Sequence, residues 1–398
     1  MKKNYLIALF ALICSFASAQ IEQTSYKGAF APAPTAAWTD SWTTFDPQNA
    51  VYGTPNVDVT TNITTNTTWT ANNIYYLKAQ VYVKDGATLT IEPGTVVRGD
   101  SSNPSCALIV TKGSKLIANG TVNNPIVFTS DKAAGSRTSG DWGGLVLLGK
   151  GSYNKTSGVA NIEGIATSAD TQYGGGLTPD DTDNSGSLKY VRIEFPGYEL
   201  AVDKEINGLT FGAVGSGTTV DYVQVSYSKD DAFEWFGGAV NCKHLVALAT
   251  LDDDLDTDNG FSGKVQFCLV VRDPNRADKS NSEAFESDNN DSKTGATTDG
   301  NAGTPKTSAT FSNCTLIGPK FRATLPNGLS VNAFHKGGAH LRRNTELKVL
   351  NSVFMDFKEG LHLDNAYSEA NATAGTLQFS NNILAGMTTN YVVNSGSS

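Results

Sequence analysis

The sequence predicts an all-β solenoid, in which short parallel strands stack as successive coils around one core. Residues 81–97 and 108–122 match each other, with Val83 aligned to Val110. A looser pattern of apolar residues recurs further along the chain, in segments that begin at Leu188, Val220, Val240, Val265, Phe311, Val349 and Phe379. An internal repeat with connections of variable length is typical of solenoids.

These segments are predicted to be strands because their apolar residues are spaced by two and their ends carry Gly, Asn, Asp and Ser. They lack two-residue hairpin turns, so a parallel coil fits better than the alternative, a β-sandwich. Stacked coils place equivalent residues in columns about 4.8 Å apart. One column holds Asn313, Asn351 and Asn381, which are expected to cap bends in the backbone.

Composition narrows the class of protein. Only 39% of the 398 residues are hydrophobic, and no stretch after the N-terminal region is apolar enough to span a membrane. Thirty basic residues against 39 acidic ones give a formal net charge of −9. Because nucleic-acid binding needs a basic surface, we expect cationic ligands and no nucleic acid.

The N-terminus has the parts of a secretory signal peptide. Lys2 and Lys3 precede an apolar stretch, and Ala17 and Ala19 are the small residues of a cleavage site. Residues 1–19 are therefore predicted to be removed by cleavage after Ala19. We expect the mature protein to be secreted or held at the outer cell surface, with outer-membrane proteins as potential partners.

The remaining sequence divides into a cap, the solenoid and a tail. Residues 20–67 are rich in Thr, Asn and Pro and are expected to form an irregular cap. Trp38 and Trp42 would cover the open end of the solenoid or, alternatively, form a platform for a sugar ring. The solenoid is predicted over residues 68–387, and residues 388–398 form a tail.

The mature chain keeps four cysteines, Cys106, Cys242, Cys268 and Cys314. Four thiols in so long a chain do not make a disulfide scaffold. Cys268 and Cys314 occupy the same repeat position, so they are expected to be neighbours in one column, either bridged or as free buried thiols.

One strand of each coil gives the most informative columns. Side chains alternate between the two sides of a strand, so one column faces the core and two face outward. The core column is predicted to contain Leu145, Leu209, Phe233, Leu255, Phe285, Ala339 and Leu361. The first outward column is predicted to contain Val146, Thr210, Glu234, Asp256, Glu286, His340 and His362. The second is predicted to contain Leu148, Gly212, Phe236, Asp258, Asp288, Arg342 and Asp364.

The charged half of this outer face is the predicted ligand site, because crowded carboxylates repel one another unless a cation or an arginine lies among them. It comprises Glu234, Asp256, Asp258, Glu286, Asp288, His340, Arg342, His362 and Asp364. Asp254, Asp256, Asp258 and Asp288 offer oxygen ligands for calcium, although the segment is not an EF-hand loop. The alternative is a solvated acidic face without a fixed ion. His340 and His362 could share a metal ion or relay a proton, but two histidines alone are a weak zinc signal.

Four segments carry a resemblance to a known family. They are GDWGGLVLLGKG at 140–151, DNSGSLKYVRIEF at 183–195, EINGLTFGAVGSGT at 205–218 and DDAFEWFGG at 230–238. The sequence resembles the right-handed parallel β-helices of the pectate-lyase-like superfamily and, more narrowly, a family of secreted β-helix proteins from Bacteroidetes and related bacteria. The resemblance spans about residues 68–387. It implies a right-handed coil and an extracellular role, and it supplies no established activity.

The resemblance also points to catalytic candidates. Some β-helix lyases use calcium to acidify a uronate proton and an arginine to remove it, which singles out Arg342 and the adjacent Arg343. His340 is a further candidate, as part of a proton relay. Asp230 and Asp231 resemble the paired aspartates of β-helix polygalacturonases. The Gly-His-Gly and Arg-Ile-Lys motifs of those hydrolases are missing, so no complete catalytic set is present.

The sequence therefore predicts an exported protein that binds a polysaccharide or cell-surface glycan on a charged sheet face, with calcium as a potential cofactor. One alternative is a polysaccharide lyase or glycoside hydrolase that acts on an acidic polysaccharide. The other is a structural or adhesive surface protein whose charged face has no small ligand.

Overall fold

Strands of the chain wind into coils with three faces, as seen in a computed structural model that describes residues 21–201, 204–290, 302–323 and 330–394. The predicted signal peptide lies outside the described residues. Within the solenoid each described strand pairs in parallel with the equivalent strand of a neighbouring coil. The predicted all-β, right-handed parallel β-helix is confirmed.

The first and second faces are joined in the middle of the molecule, where four long strands run through both. The first face contains β2 (Thr67–Trp69), β5 (Thr88–Ile91), β8 (Lys115–Asn119), β23 (Thr310–Ser312), β26 (Lys348–Leu350) and β29 (Gln378–Ser380). The second contains β1 (Val57–Val59), β3 (Ile74–Leu77), β6 (Val96–Gly99), β9 (Ile126–Ser130), β24 (Thr315–Ile317), β27 (Val353–Met355) and β30 (Ile383–Ala385). The shared strands are β13 (Gly186–Glu194), β17 (Thr219–Ser226), β19 (Asn241–Leu248) and β21 (Lys264–Val271).

The third face is a continuous sheet of 10 parallel strands. They are β4 (Gln80–Val83), β7 (Ala107–Val110), β10 (Gly144–Leu148), β16 (Leu209–Gly212), β18 (Phe233–Phe236), β20 (Leu255–Asp258), β22 (Ser282–Ser287), β25 (His335–Leu341), β28 (Glu359–Asp364) and β31 (Thr389–Asn394). Val83 pairs with Val110, so the predicted alignment of the first two repeats is confirmed.

Few elements lie outside the coils. Two short antiparallel pairs are β11 (Ala160–Asn161) with β12 (Gln172–Tyr173) and β14 (Glu199–Ala201) with β15 (Lys204–Glu205). The helical elements are a 3₁₀ turn (Ala169–Thr171), α1 (Lys320–Ala323) and α2 (Ala366–Ala374). Neither described α-helix has the length and apolar character needed to cross a membrane.

The bend between the first and second faces is made by residues in the left-handed region. Asn313, Asn351 and Asn381 have φ values of 55°, 52° and 59°, which confirms that the Asn column lies at a bend of the backbone. In earlier coils the same position holds Tyr222 and His244, whose rings stack with centroids 4.2 Å apart. Aromatic stacking between coils offsets the strain of this conformation where no asparagine is present.

The core column of the third face follows the predicted register. Leu145 pairs with Leu209, Leu209 with Phe233, and the same register continues through Phe285 and Ala339. All of these side chains belong to one hydrophobic core, which the three faces enclose. Burying such a column stabilises the solenoid by about 1.5–3 kcal/mol for each large apolar side chain.

The N-terminal segment packs along the side of the solenoid, which differs from the end-covering cap that the sequence suggested. Trp42 is 0% exposed and packs against Val246 and Leu269 on the second face. The backbone N–H of Gly28 donates to the carbonyl of Asn351, several coils away. Since the outward aromatic column offers an apolar surface there, Trp42 is buried by it and cannot serve as an open sugar platform.

Regular strand pairing extends beyond the solenoid bounds predicted from the sequence. Val57–Val59 pairs with Tyr75–Leu77, within the segment assigned to the cap. Thr389–Asn394 pairs with β28, within the segment assigned to the tail. Both segments were too short and too polar for their periodicity to be recognised.

The apolar half of the outer third face is covered by an excursion that follows β10. Tyr153, Ile162 and Tyr173 from this excursion pack against Val146 and Phe236. On the charged half the excursion contributes Glu163 to the wall of a cavity and leaves that cavity open.

We expect all four cysteines to be free thiols that do not react in the folded protein, because each is buried. Alkylation with and without denaturant, followed by mass spectrometry, should label them only after unfolding. Cys268 and Cys314 lie in adjoining coils, so a bridge between them would contradict free thiols. A bridge from either to Cys106 would contradict the coil register itself.

Candidate functional site

The charged residues of the third face stack in the predicted columns. Glu234 pairs with Asp256, Asp256 with Glu286, Glu286 with His340, and His340 with His362. The hydrogen-bonded register of parallel strands therefore brings like charges from successive coils into neighbouring positions. These like charges repel one another, so other groups of the site have to compensate their charge.

Asp254 lies apart from the other residues of the predicted calcium set. It and Arg272 are both 0% exposed, and the Arg272 Nε lies 3.0 Å from the Asp254 Oδ2. Burial raises the pKa of Asp254 to about 6, although the nearby Arg272 charge acts in the opposite direction. Asp254 is thus part of a buried ion pair beneath the face.

Asp256, Asp258 and Asp288 also do not converge with Asp254 on one point. Asp258 is buried beside the backbone turn at Asn259, whose N–H it accepts. Asp288 accepts from Arg342 Nε at 2.7 Å and from Arg343. Within the described residues, Asp256 belongs instead to a group with Asp231 and Glu234, whose ligand atoms are close enough to share an ion.

An acidic cavity of about 580 Å³ opens on the charged half of the third face. Its walls come from the β10 excursion, from the β14 pair and from the loop that follows β21. Ten carboxylates and two lysines line it. The carboxylates belong to Glu163, Glu199, Asp230, Asp231, Glu234, Asp252, Asp253, Asp256, Asp278 and Glu286, and the lysines are Lys229 and Lys279.

Two groups of carboxylates in this cavity could each hold a cation. Asp230, Asp231 and Asp252 form one group, and Asp231, Glu234 and Asp256 form the other, with ligand atoms within 4.8 Å of one another in each. Asp231 belongs to both. Two adjacent ions would therefore share one carboxylate.

Asn207 adds a neutral oxygen to the second group. Its side chain is only 4% exposed, and its Nδ2 donates to Glu234. Its Oδ1 is buried and has no hydrogen-bond partner in the described part of the chain, and the same holds for Asp256 Oδ1. Buried oxygens normally have a partner, so these two atoms are ready to accept a donor or a cation.

Burial and mutual repulsion act together on the acidic cavity. Burial, and then the charge of Asp230, raises the pKa of Asp231 well above its usual value. Burial and the charge of Asp256 do the same to the pKa of Glu234. For Asp256 the causes are burial and the charge of Glu286. Without a cation these carboxyls favour the protonated form.

Arg342 neutralises the end of the acidic columns. It contacts Glu286 and Asp288, and although burial alone would lower its pKa, these carboxylates raise it well above the usual value. Arg342 therefore stays protonated, which disfavours a role in removing a substrate proton. Its contacts instead hold the carboxylates of Glu286 and Asp288 in place.

His340 and His362 stack face to face, with ring centroids 4.5 Å apart. His340 Nδ1 lies 3.2 Å from Glu283 and its Nε2 lies 3.3 Å from Asp364 Oδ2. Burial would lower the pKa of His340, but hydrogen bonds to Asp364 and Glu283 raise it. Burial and the neighbouring His340 lower the pKa of His362.

Sequence reasoning missed a third column of polar residues that precedes the two outward ones. Asp253 donates its backbone N–H to Asp231 Oδ1 at 2.8 Å, and Glu283 donates its own to Asp253 Oδ1 at 2.6 Å. Asn207 occupies the equivalent position one coil earlier. The repeated Asp-Asp pairs at 230–231 and 252–253 were the available signal.

Comparison with known proteins identifies the family. Residues 61–397 match the pectate-lyase-like β-helix domain. The chain belongs to this family. No curated protein and no solved structure shows significant similarity to the chain. Membership accounts for the three-faced coil and indicates a carbohydrate-related protein.

The raised pKa values of the cavity carboxyls predict how the folding stability depends on pH when a chelator removes metal ions. A carboxyl whose pKa is raised on folding keeps its proton in the folded state, so stability falls as pH rises from about 4 through the folded pKa. His340 contributes with the same sign, whereas His335, whose pKa burial lowers to about 4, and His362 oppose it.

A variant isolates the contribution of the cavity. Glu234→Gln with Asp256→Asn should be more stable than the wild type at pH 7.5, because it removes two carboxyls that burial and mutual repulsion penalise when charged, and the gain should vanish near pH 4. Urea unfolding at both pH values, with chelator present, measures it. If the variant gained the same stability over the wild type at both pH values, the assigned pKa shifts would be contradicted.

Proposed function

We propose that the protein is exported and binds a polysaccharide on the charged third face, with Ca²⁺ held in the acidic cavity. The observation that carries this proposal is the imbalance of ten carboxylates against two lysines in one cavity. The charge of such a site destabilises it at neutral pH, and a bound cation would compensate that charge without requiring the carboxyls to be protonated.

The chemistry of the cavity favours Ca²⁺ over a transition metal. Its ligand atoms are carboxylate oxygens, joined by the amide Oδ1 of Asn207, and Ca²⁺ prefers six to eight such oxygens. Asp231, Glu234 and Asp256 supply the carboxylates around the better enclosed ion. No nitrogen or thiolate ligand lines this cavity in the described residues.

The shape of the site favours an extended glycan. The cavity spans strands β16 to β22, which stack at about 4.8 Å, a spacing comparable to the length of one sugar residue. A bound Ca²⁺ would bridge the protein to the carboxylate of an acidic sugar. Arg342, at the far end of the columns, would contact another acidic group of the same polysaccharide. Membership of a carbohydrate-related family supports the same choice.

A hydrolase remains the second candidate because Asp231 and Glu234 are carboxyls with raised pKa values in one cavity. A raised pKa is what a general acid of a glycosidase needs at neutral pH. Binding ranks above hydrolysis because both side chains already have assigned partners, Asp253 N–H and Asn207 Nδ2.

Export is part of the proposal. The Lys-Lys, apolar and Ala-x-Ala sequence of the first 19 residues supports cleavage after Ala19 and a secreted or outer-surface location. N-terminal sequencing of protein recovered from the native host should begin at Gln20. A start at Met1 would contradict export by this signal.

Calcium should stabilise the protein by mass action. At a Ca²⁺ concentration of 100 times Kd the expected gain is about 2.7 kcal/mol, which a thermal melt would show as a higher Tm that a chelator reverses. Glu234→Gln with Asp256→Asn should abolish the gain. The matched control is Asp58→Asn, because Asp58 lies in an exposed ion pair with Lys78 away from the cavity.

Glycan binding should depend on the same residues. Wild type, the double variant and the control are tested against acidic and neutral polysaccharides, with and without Ca²⁺. We expect Ca²⁺-dependent binding of an acidic polysaccharide by the wild type and the control alone. Release of unsaturated or reducing ends would instead favour the enzyme, and unchanged binding by the double variant would exclude the cavity.

A further inference from the structure

The stacked histidines of the third face lie beside two oxygen ligands from neighbouring coils. His340 Nε2 is 3.3 Å from Asp364 Oδ2, and ligand atoms of His340, His362 and Asp364 lie within 4.8 Å of one another. His362 Nε2 is 2.8 Å from the side-chain amide of Asn394 on β31. Turning this amide by 180° brings its Oδ1 to the same place.

The other nitrogen of each histidine faces a carboxylate. His340 Nδ1 lies 3.2 Å from Glu283, and His362 Nδ1 lies 3.3 Å from Glu359 Oε2. His362 is only 6% exposed, and its Nδ1 makes no geometrically satisfactory hydrogen bond in the described residues. Histidines that bind metals commonly direct the other ring N–H to a carboxylate, which fixes the tautomer and orients the ring.

We propose that His340, His362, Asp364 and Asn394 form a binding site for Zn²⁺ or a similar divalent transition metal. Two imidazole nitrogens and two oxygens make the four-coordinate set that Zn²⁺ prefers, with bonds of about 2.0–2.2 Å. The two ring planes are only 18° from parallel, so metal binding requires the side chains to rotate out of this stack until their Nε2 lone pairs converge. Glu283 and Glu359 are positioning residues. This site is separate from the acidic cavity and does not depend on the proposed glycan function.

The proposed metal would join the last three coils. Its ligands come from β25, β28 and β31, and β31 has no strand on its far side within the described residues. Tyr391, which continues the core column, is 63% exposed there. A coil with so exposed a core residue buries little apolar surface, so a metal bridge at this position would protect it from local unfolding.

Titration of the whole mature chain, without a polyhistidine tag, tests the proposal with the metal alone. We expect one equivalent of Zn²⁺ to bind in calorimetry and one equivalent of Co²⁺ to give the strong visible absorption of a tetrahedral site. Excess Ca²⁺ should not displace either metal. Zn²⁺ should slow amide hydrogen exchange in residues 389–394.

Variants distinguish this site from the acidic cavity. His362→Gln and Asp364→Asn should remove the Co²⁺ absorption. Asp356→Asn, the same kind of change directly after β27 on the second face, should keep it. Glu359→Gln should weaken Zn²⁺ binding by about 10- to 100-fold. Circular dichroism checks that each variant is folded, and either loss variant suffices if the other misfolds. Absent Zn²⁺ binding, an octahedral Co²⁺ spectrum, or unchanged binding by both variants would overturn the site.

Discussion

Backbone hydrogen bonds between successive coils hold each strand in register with its neighbour, and the chemistry of the third face depends on this stacking. Because Glu234, Asp256 and Glu286 occupy one repeat position, they must lie one strand apart. The chain cannot separate these charges without breaking the sheet. Their repulsion is therefore a fixed property of the fold, and a cation, a proton or an arginine has to compensate it.

The third face meets this requirement differently along its length. Its apolar start is covered by the excursion after β10, and its end is neutralised by Arg342 and by His340, whose pKa, despite burial, is raised by hydrogen bonds to Asp364 and Glu283. Between them, the acidic cavity has carboxyls with raised pKa values and buried oxygens that find no hydrogen-bond partner among the described residues. The middle of the face is thus where binding of an external cation gains most free energy.

The columns could be predicted from the sequence because alternation and repeat position together determine the register. The order Glu234, Asp256, Glu286, His340 follows from aligned segments alone. The buried ion pair of Asp254 could not be predicted, because its partner Arg272 comes from a different face and contacts it only in the folded core. Asn207 and Glu283 were missed because they precede the regular strand pattern. The N-terminal segment lacks any repeat, so its path along the side depends on tertiary contacts.

The central claim is that Ca²⁺ occupies the acidic cavity between Asp231, Glu234 and Asp256. X-ray diffraction from crystals grown with Ca²⁺, or with Tb³⁺ as its substitute, locates the ion by anomalous scattering. Our account predicts a peak among these three carboxylates, with the Asn207 Oδ1 among the ligands. A cavity without a peak, or a peak only beside Asp258 and Asp288, would contradict it.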